Sequence, residues 1–238
     1  MHSAAQIQRS LIPGQSPSYH NLHYAWRFMP SKKVGGDLFN VVQLDEETIM
    51  TYLVDVSGHG ISSALLMAGV RAYLRGRVTQ AGSVAEMITD VNRLVSADTI
   101  ETHQFMTLFF LVMEAHTGRI TWVRAGQDPA LLYSPDEGHF EKLEGQGIPL
   151  GVEESWQYQD NTKTVRPGQI LVLTTDGVLE AHNEKGKMFG RNRLKEIIRC
   201  YAGLGAEGIR LAIIDAVTAF RGEAHQEDDI TLVVLKFL

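Results

Sequence analysis

Five aspartates stand at the ends of apolar segments in this sequence: Asp37 in VGGDLF, Asp55 in YLVDVSGHG, Asp176 in LVLTTDG, and Asp228 and Asp229 in DDITLVVL. Carboxylates aimed from strand ends into one cleft would be penalised by dehydration, and their mutual repulsion would raise their proton affinity. Divalent cations relieve both effects. Hard oxygen ligands suit Mg²⁺ or Mn²⁺, and two such ions can share a carboxylate and hold a water between them. Such a centre would ready that water for in-line attack on phosphorus, with no covalent intermediate on the protein. Aspartate also fills turns and caps helices, so the residue type alone leaves open the reading of unrelated turn residues.

The elements that must position these carboxylates can be read from periodicity. HYAWRFMP reads as a strand ending before Pro30, and LFNVVQL and TIMTYLVDV as two strands joined by a tight polar turn. After Asp55 the stretch VSGHG breaks the strand, and ISSALLMAGVRAYLRGRV becomes helical, with Ser62 or Ser63 as its expected cap. SVAEMITDVNRLVSAD reads as a second helix. FMTLFFLVMEAHTGRITWVRAG then gives two long strands and PALLY a shorter one, and GQILVLTTDG a strand ending in an aspartate-glycine turn. One helical region over about 191–220 precedes the closing strand DDITLVVLKF. Many strands with two early helices and a late helical region favour a layered α+β domain over a repeating βαβ fold.

Bulk properties narrow the class. The 238 residues, 44% of them hydrophobic, suffice for one substantial core, although two small lobes would also fit. A formal charge of −6, from 28 acidic and 22 basic side chains, disfavours a generally cationic nucleic-acid surface. Cys200 is the only cysteine, so no intrachain disulfide framework exists. The opening MHSAAQIQRSLIPGQSP lacks the apolar core of a secretion signal, and no apolar run is long enough for a membrane-spanning helix. Cytoplasm is the expected compartment. Residues 1–18 are read as a linker or N-terminal helical extension that could continue a helix from an upstream sensory or receiver domain, and 19–238 as the domain proper.

Taken in order, VGGDLF, LVDVSGHGISSALLM, FMTLFFLVME, ITWVRAGQDPALL, LVLTTDGVLEA, FG and DDITLVVL resemble the PP2C-like, metal-dependent phosphatase family, and more narrowly its bacterial branch related to SpoIIE and RsbU. The resemblance covers roughly Ala5 to Leu238. It implies an α-β-β-α sandwich, two central antiparallel sheets flanked by helices, with a centre of two Mn²⁺ or Mg²⁺ ions. It puts Asp55 between the metals as bridging ligand. Asp176 and Asp228 would complete the first metal site, and Asp37 with the backbone carbonyl of Val56 the second. Asp229 would support them from behind or serve a third, weak site. Asp37, Asp55, Asp176 and Asp228 are thus the expected catalytic set.

The resemblance further implies a protein-serine/threonine phosphatase acting by direct attack of metal-activated water. Its expected partner is a phosphorylated regulatory protein, an anti-sigma-factor antagonist being the favoured class, in partner-switching signalling; a homodimer is compatible, and no nucleic-acid or membrane partner is expected. A catalytically weak phosphatase-like scaffold and a metal-dependent nucleotide phosphohydrolase stay open as alternatives.

Other residues offer less. His59 in GHG can organise its loop, position a water or donate a proton to the leaving oxygen. Ser57, Ser62 and Ser63 lack the surroundings of a nucleophilic serine, and Cys200 lacks a phosphate-binding loop. His103, His116, His182 and His225 read as surface or structural, and Lys32 and Lys33 as surface charge. One departure stands out. Where the bacterial branch often has a histidine in an AGHxPP-like turn, this chain has Gln127, which keeps a hydrogen-bonding tip but loses acid-base chemistry.

Overall fold

The computed structural model describes residues 2–13 and 22–238. In chain order the elements are α1 (His2–Leu11), β1 (Leu22–Met29), β2 (Leu38–Gln43), β3 (Thr48–Val56), α2 (Ile61–Arg77), α3 (Val84–Thr99), β4 (Met106–Glu114), β5 (Arg119–Ala125), β6 (Ala130–Ser134) and β7 (His139–Leu143). β8 (Asn161–Thr164), β9 (Ile170–Thr174), α4 (Asp176–Leu179), α5 (Gly190–Tyr201), α6 (Ala206–Arg221) and β10 (Ile230–Phe237) complete the chain. Among the described residues no helix is long and apolar enough to cross a membrane.

The chain divides into two compact units. In the first, β2-β3-β4-β5-β8 form a five-stranded antiparallel sheet. Strand alternation places Tyr52, Val54 and Val56 of β3 and Leu108 and Phe110 of β4 on one face, where Met67, Val70 and Leu74 of α2 and Ile88, Val91 and Val95 of α3 cover them. Asp55, one step out of phase with Val54 and Val56, therefore belongs to the opposite face. The helix α1 is docked on this unit: the buried Gln8 side chain donates to the Gly35 carbonyl (2.6 Å) and accepts from the Gly35 N–H (3.1 Å). The expected boundary between residues 18 and 19 lies outside the described residues.

In the second unit the five-stranded antiparallel order is β1-β10-β9-β6-β7. Here Val172 of β9 and Leu232 and Val234 of β10 pack with Ile198 of α5 and Ile209, Ile213 and Val217 of α6. Two antiparallel sheets, each with its own helices, are the α+β architecture that the sequence leads one to expect.

Local expectations need four corrections. The cap of α2 is Gly60, at φ 87°, and not a serine; Ser63 Oγ instead donates back to the Gly60 carbonyl (3.0 Å). Asp176 and Gly177 do not form a turn but open the short helix α4. The late helical region splits into α5 and α6 at residues 202–205, where Gly203 and Gly205 interrupt it. β7 and β8 carry too few apolar residues to be read as strands from periodicity.

Candidate metal centre

In the first unit β3 delivers Asp55 near its end, directly opposite Thr107 of β4, with Val56 opposite Met106. β2 pairs Leu38 with Val54. One step further along that antiparallel register brings Asp37 level with Asp55 and Gly36 level with Val56. The approach is close: a Cβ on Gly36 would stand 3.0 Å from the Val56 carbonyl oxygen and 2.9 Å from Ser63 Cβ. Any side chain at 36 would therefore force the Val56 carbonyl or the start of α2 to shift. Asp37 is only 2% exposed, while Asp55 is half-buried. Two carboxylates level on adjacent strands repel one another, a cost that a cation removes.

The second unit holds Asp176 and the 228–229 turn against each other. Thr175 N–H donates to the Thr231 carbonyl (3.1 Å), and Thr231 N–H donates to Thr175 Oγ1 (3.0 Å), tying the end of β9 to the start of β10. A Cβ on Gly177 would lie 2.0 Å from the Asp229 carbonyl oxygen, so the first turn of α4 rests directly on the backbone beside Asp228. Asp176 and Asp228 also line one cavity of about 110 Å³. Asp228 is exposed, and its Oδ1 accepts the Asp229 N–H (2.8 Å). Asp229 is buried, and its Oδ1 accepts from the Ser31 N–H (2.7 Å) and Ser31 Oγ (3.1 Å).

The structure thus brings Asp37, Asp55 and the Val56 carbonyl together in one unit, and Asp176, Asp228 and Asp229 in the other. Among the described residues no group of three or more His, Cys, Asp or Glu side chains is gathered closely enough to hold a metal ion. The donors nonetheless fit Mn²⁺ or Mg²⁺ by type, since every one is a carboxylate or carbonyl oxygen. Both glycine approaches place those donors beside closely packed backbone.

Around the first set, His59 is exposed and its Nδ1 lies 2.9 Å from Lys32 Nζ. An ammonium can only donate, so Nδ1 accepts and the ring proton sits on Nε2. Lys32, Lys33 and His59 line one cavity with Ile61 and Ser62 at the start of α2. Ser57 Oγ accepts the Phe105 N–H (3.0 Å), a loop-holding role with no histidine attached. His116 meets Glu47 (2.7 Å) and His182 meets Glu227 (2.9 Å), while Cys200 is exposed on α5.

Gln127 is 3% exposed, its carbonyl accepts from Arg124 Nη1 (2.8 Å), and its Oε1 accepts the hydroxyl of Thr107. Gly126, at φ 73°, packs so tightly that a Cβ would meet Pro149 Cγ at 2.5 Å. Sequence reasoning passed over Thr107 and Ser31. Only strand register places Thr107 beside Asp55, and only the fold brings Ser31, 198 residues away, to Asp229.

Comparison with known proteins gives the arrangement its context. RsbU of Bacillus subtilis, named as a phosphoserine phosphatase, is 27% identical over 234 residues, covering 98% of this chain and 68% of RsbU. The SiaA-PP2C domain of Pseudomonas aeruginosa superposes with a TM-score of 0.85 at 22% identity, covering all of this chain and 95% of that one. The catalytic domain of the serine/threonine phosphatase PstP, solved with two manganese ions, gives a TM-score of 0.66 at 14% identity over 92% of this chain and 99% of that one. The family model for Stage II sporulation protein E matches residues 45–238. With most of its length inside that match, this chain belongs to the SpoIIE family, and its fold is PP2C-like.

Proposed function

We propose that this chain is a metal-dependent serine/threonine protein phosphatase that hydrolyses phosphoserine or phosphothreonine on a regulatory protein. The observation that carries the reading is the level placement of Asp37 and Asp55 beside the Val56 carbonyl, in a chain whose family match takes in Asp55, Asp176 and Asp228. The ligand set is Asp37, Asp55 and the Val56 carbonyl, with Asp176 and Asp228. Cations held there, two Mn²⁺ or Mg²⁺ ions, supply a water of lowered pKa and offset charge on the phosphoryl oxygens.

The chain's own residues do the rest. Asp55 contributes shared negative charge, Gly36 keeps the Asp37 segment close to Val56, and Gly177 keeps the start of α4 close to the 228–229 turn. Asp229, occupied by Ser31 at Oδ1, orients the 228–229 turn from behind. An anti-sigma-factor antagonist is the substrate class favoured by the family resemblance, and an upstream sensory domain is compatible with a chain that spans 68% of RsbU.

The decisive experiment is a metal-dependent dephosphorylation screen against phosphorylated regulatory proteins of the same cell. Asp55→Asn serves as control, with metal affinity measured in parallel. Asp55→Asn should weaken Mn²⁺ binding on the order of 100-fold, since even partners behind the ligands cost 10–100-fold, and turnover should fall with it. Unchanged affinity and turnover would refute the assignment. Gln127, standing where the bacterial branch often has a histidine, favours as second reading a catalytically weak scaffold. That reading predicts partner binding without metal-dependent turnover.

A further inference from the structure

We infer that Thr107, held by Gln127, is a positioning residue for a water bound beside Asp55; this rests on the metal-centre reading above. Three residues on successive strands form a row across one sheet face: Asp37 before β2, Asp55 on β3 and Thr107 on β4. Directly opposed residues have Cβ atoms about 5 Å apart, so Thr107 is the immediate flank of Asp55 on the side away from Asp37. Nothing in the motifs marks this threonine, and its hydroxyl is what the structure singles out.

The hydroxyl proton of Thr107 is given to Gln127 Oε1, so the oxygen presents lone pairs to its remaining neighbours. An oxygen in that state does not donate to the Asp55 carboxylate and so does not draw off the negative charge a cation needs. It can accept a hydrogen bond from a water bound beside Asp55. Gln127 keeps this arrangement because it is buried and fixed. Arg124 holds its carbonyl, and Gly126 N–H donates to the Gly147 carbonyl (3.0 Å), with the turn wedged against Pro149. The glutamine that replaces the family's histidine is therefore a non-titrating anchor that sets the direction of the Thr107 hydrogen bond.

The test is Mn²⁺ titration by calorimetry of the whole chain, with melting of the metal-free protein as the check on folding. Thr107→Val keeps the β-branched shape and removes the hydroxyl, and Gln127→Met removes its acceptor. Each should weaken Mn²⁺ affinity about tenfold, in the range found for groups behind metal ligands, whereas Thr107→Ser should stay within about threefold of the parent. The double variant should lose little more than either single one, because both act through one hydrogen bond. If Asp55→Asn abolishes binding but Thr107→Val and Gln127→Met bind as the parent does, the positioning role is overturned while the metal reading stands. Should the parent take up no Mn²⁺, or Asp55→Asn bind unchanged, the metal reading falls and this inference falls with it. A loss of affinity that merely tracks lower metal-free melting in every variant, Thr107→Ser included, also overturns it.

Discussion

Gly177→Ala isolates what tertiary packing demands at the second acidic set. By helix propensity alone, alanine in the first turn of α4 is favoured over glycine by up to about 1 kcal/mol, which would stabilise the protein. The structure reverses the sign. The added Cβ would stand 2.0 Å from the Asp229 carbonyl oxygen, 1.4 Å inside the 3.4 Å at which ordinary contact begins, and 2.9 Å from the Asp229 carbonyl carbon. Both obstacles are backbone, tied in place by the Thr175–Thr231 hydrogen bonds and by Ser31 on Asp229. Relief therefore needs the α4 turn and the 228–229 turn to separate. Forced overpacking of this kind costs about 3 kcal/mol at the upper end of its range. Set against the propensity gain, the net loss is about 2 kcal/mol, equivalent to a melting temperature about 4–8 °C lower for a chain of this size.

Gly69→Ala, in the middle of α2, is the matched control. Nothing lies within 4 Å of its added Cβ, so about 0.5–1 kcal/mol of stabilisation should appear, with melting raised by about 1–4 °C. Calorimetric melting of both metal-free variants reads the two signs directly. Gly177→Ala melting at or above the parent would refute the packing argument.

Two further outcomes are expected. Gln8→Leu strips both hydrogen bonds from the Gly35 backbone and should cost about 1–3 kcal/mol in denaturant unfolding; an unchanged midpoint would show that the docking of α1 contributes nothing. The Arg210 guanidinium beside Glu207 holds that carboxyl below its ordinary 4.5. A depressed folded-state pKa gives stability that is present above the unfolded value and lost as pH falls through the folded one. Glu207→Gln should thus flatten slightly the acid-side decline that begins below about pH 4.5, by under about 0.5 kcal/mol because the carboxylate is largely exposed. A steeper decline in the variant would contradict the sign.

Alternation and length were enough to read β1, β3, β4, β9 and β10 from the sequence, because each is a long or strongly apolar run. The helices α2 and α3 were equally legible from their apolar spacing. The ends of β3, β9 and β10, and the start of β2, read from LFNVVQL, carried the candidate carboxylates, so the identity of Asp37, Asp55, Asp176 and Asp228 as candidates was a sequence-level result. What the residue string could not encode locally was register and close approach. It gave no sign that Asp37 comes level with Asp55, that the Val56 carbonyl lies against Gly36, or that the α4 turn rests on the backbone of Asp229. Gln127 looked like a lost acid-base group, whereas the fold buries it under Thr107 as an anchor. Residue type and short-range periodicity act within a few positions of the chain, and they determined the elements and the chemistry on offer. Contacts such as Ser31 with Asp229 join residues 198 apart, and only packing the strands in one register decides which oxygens share a face.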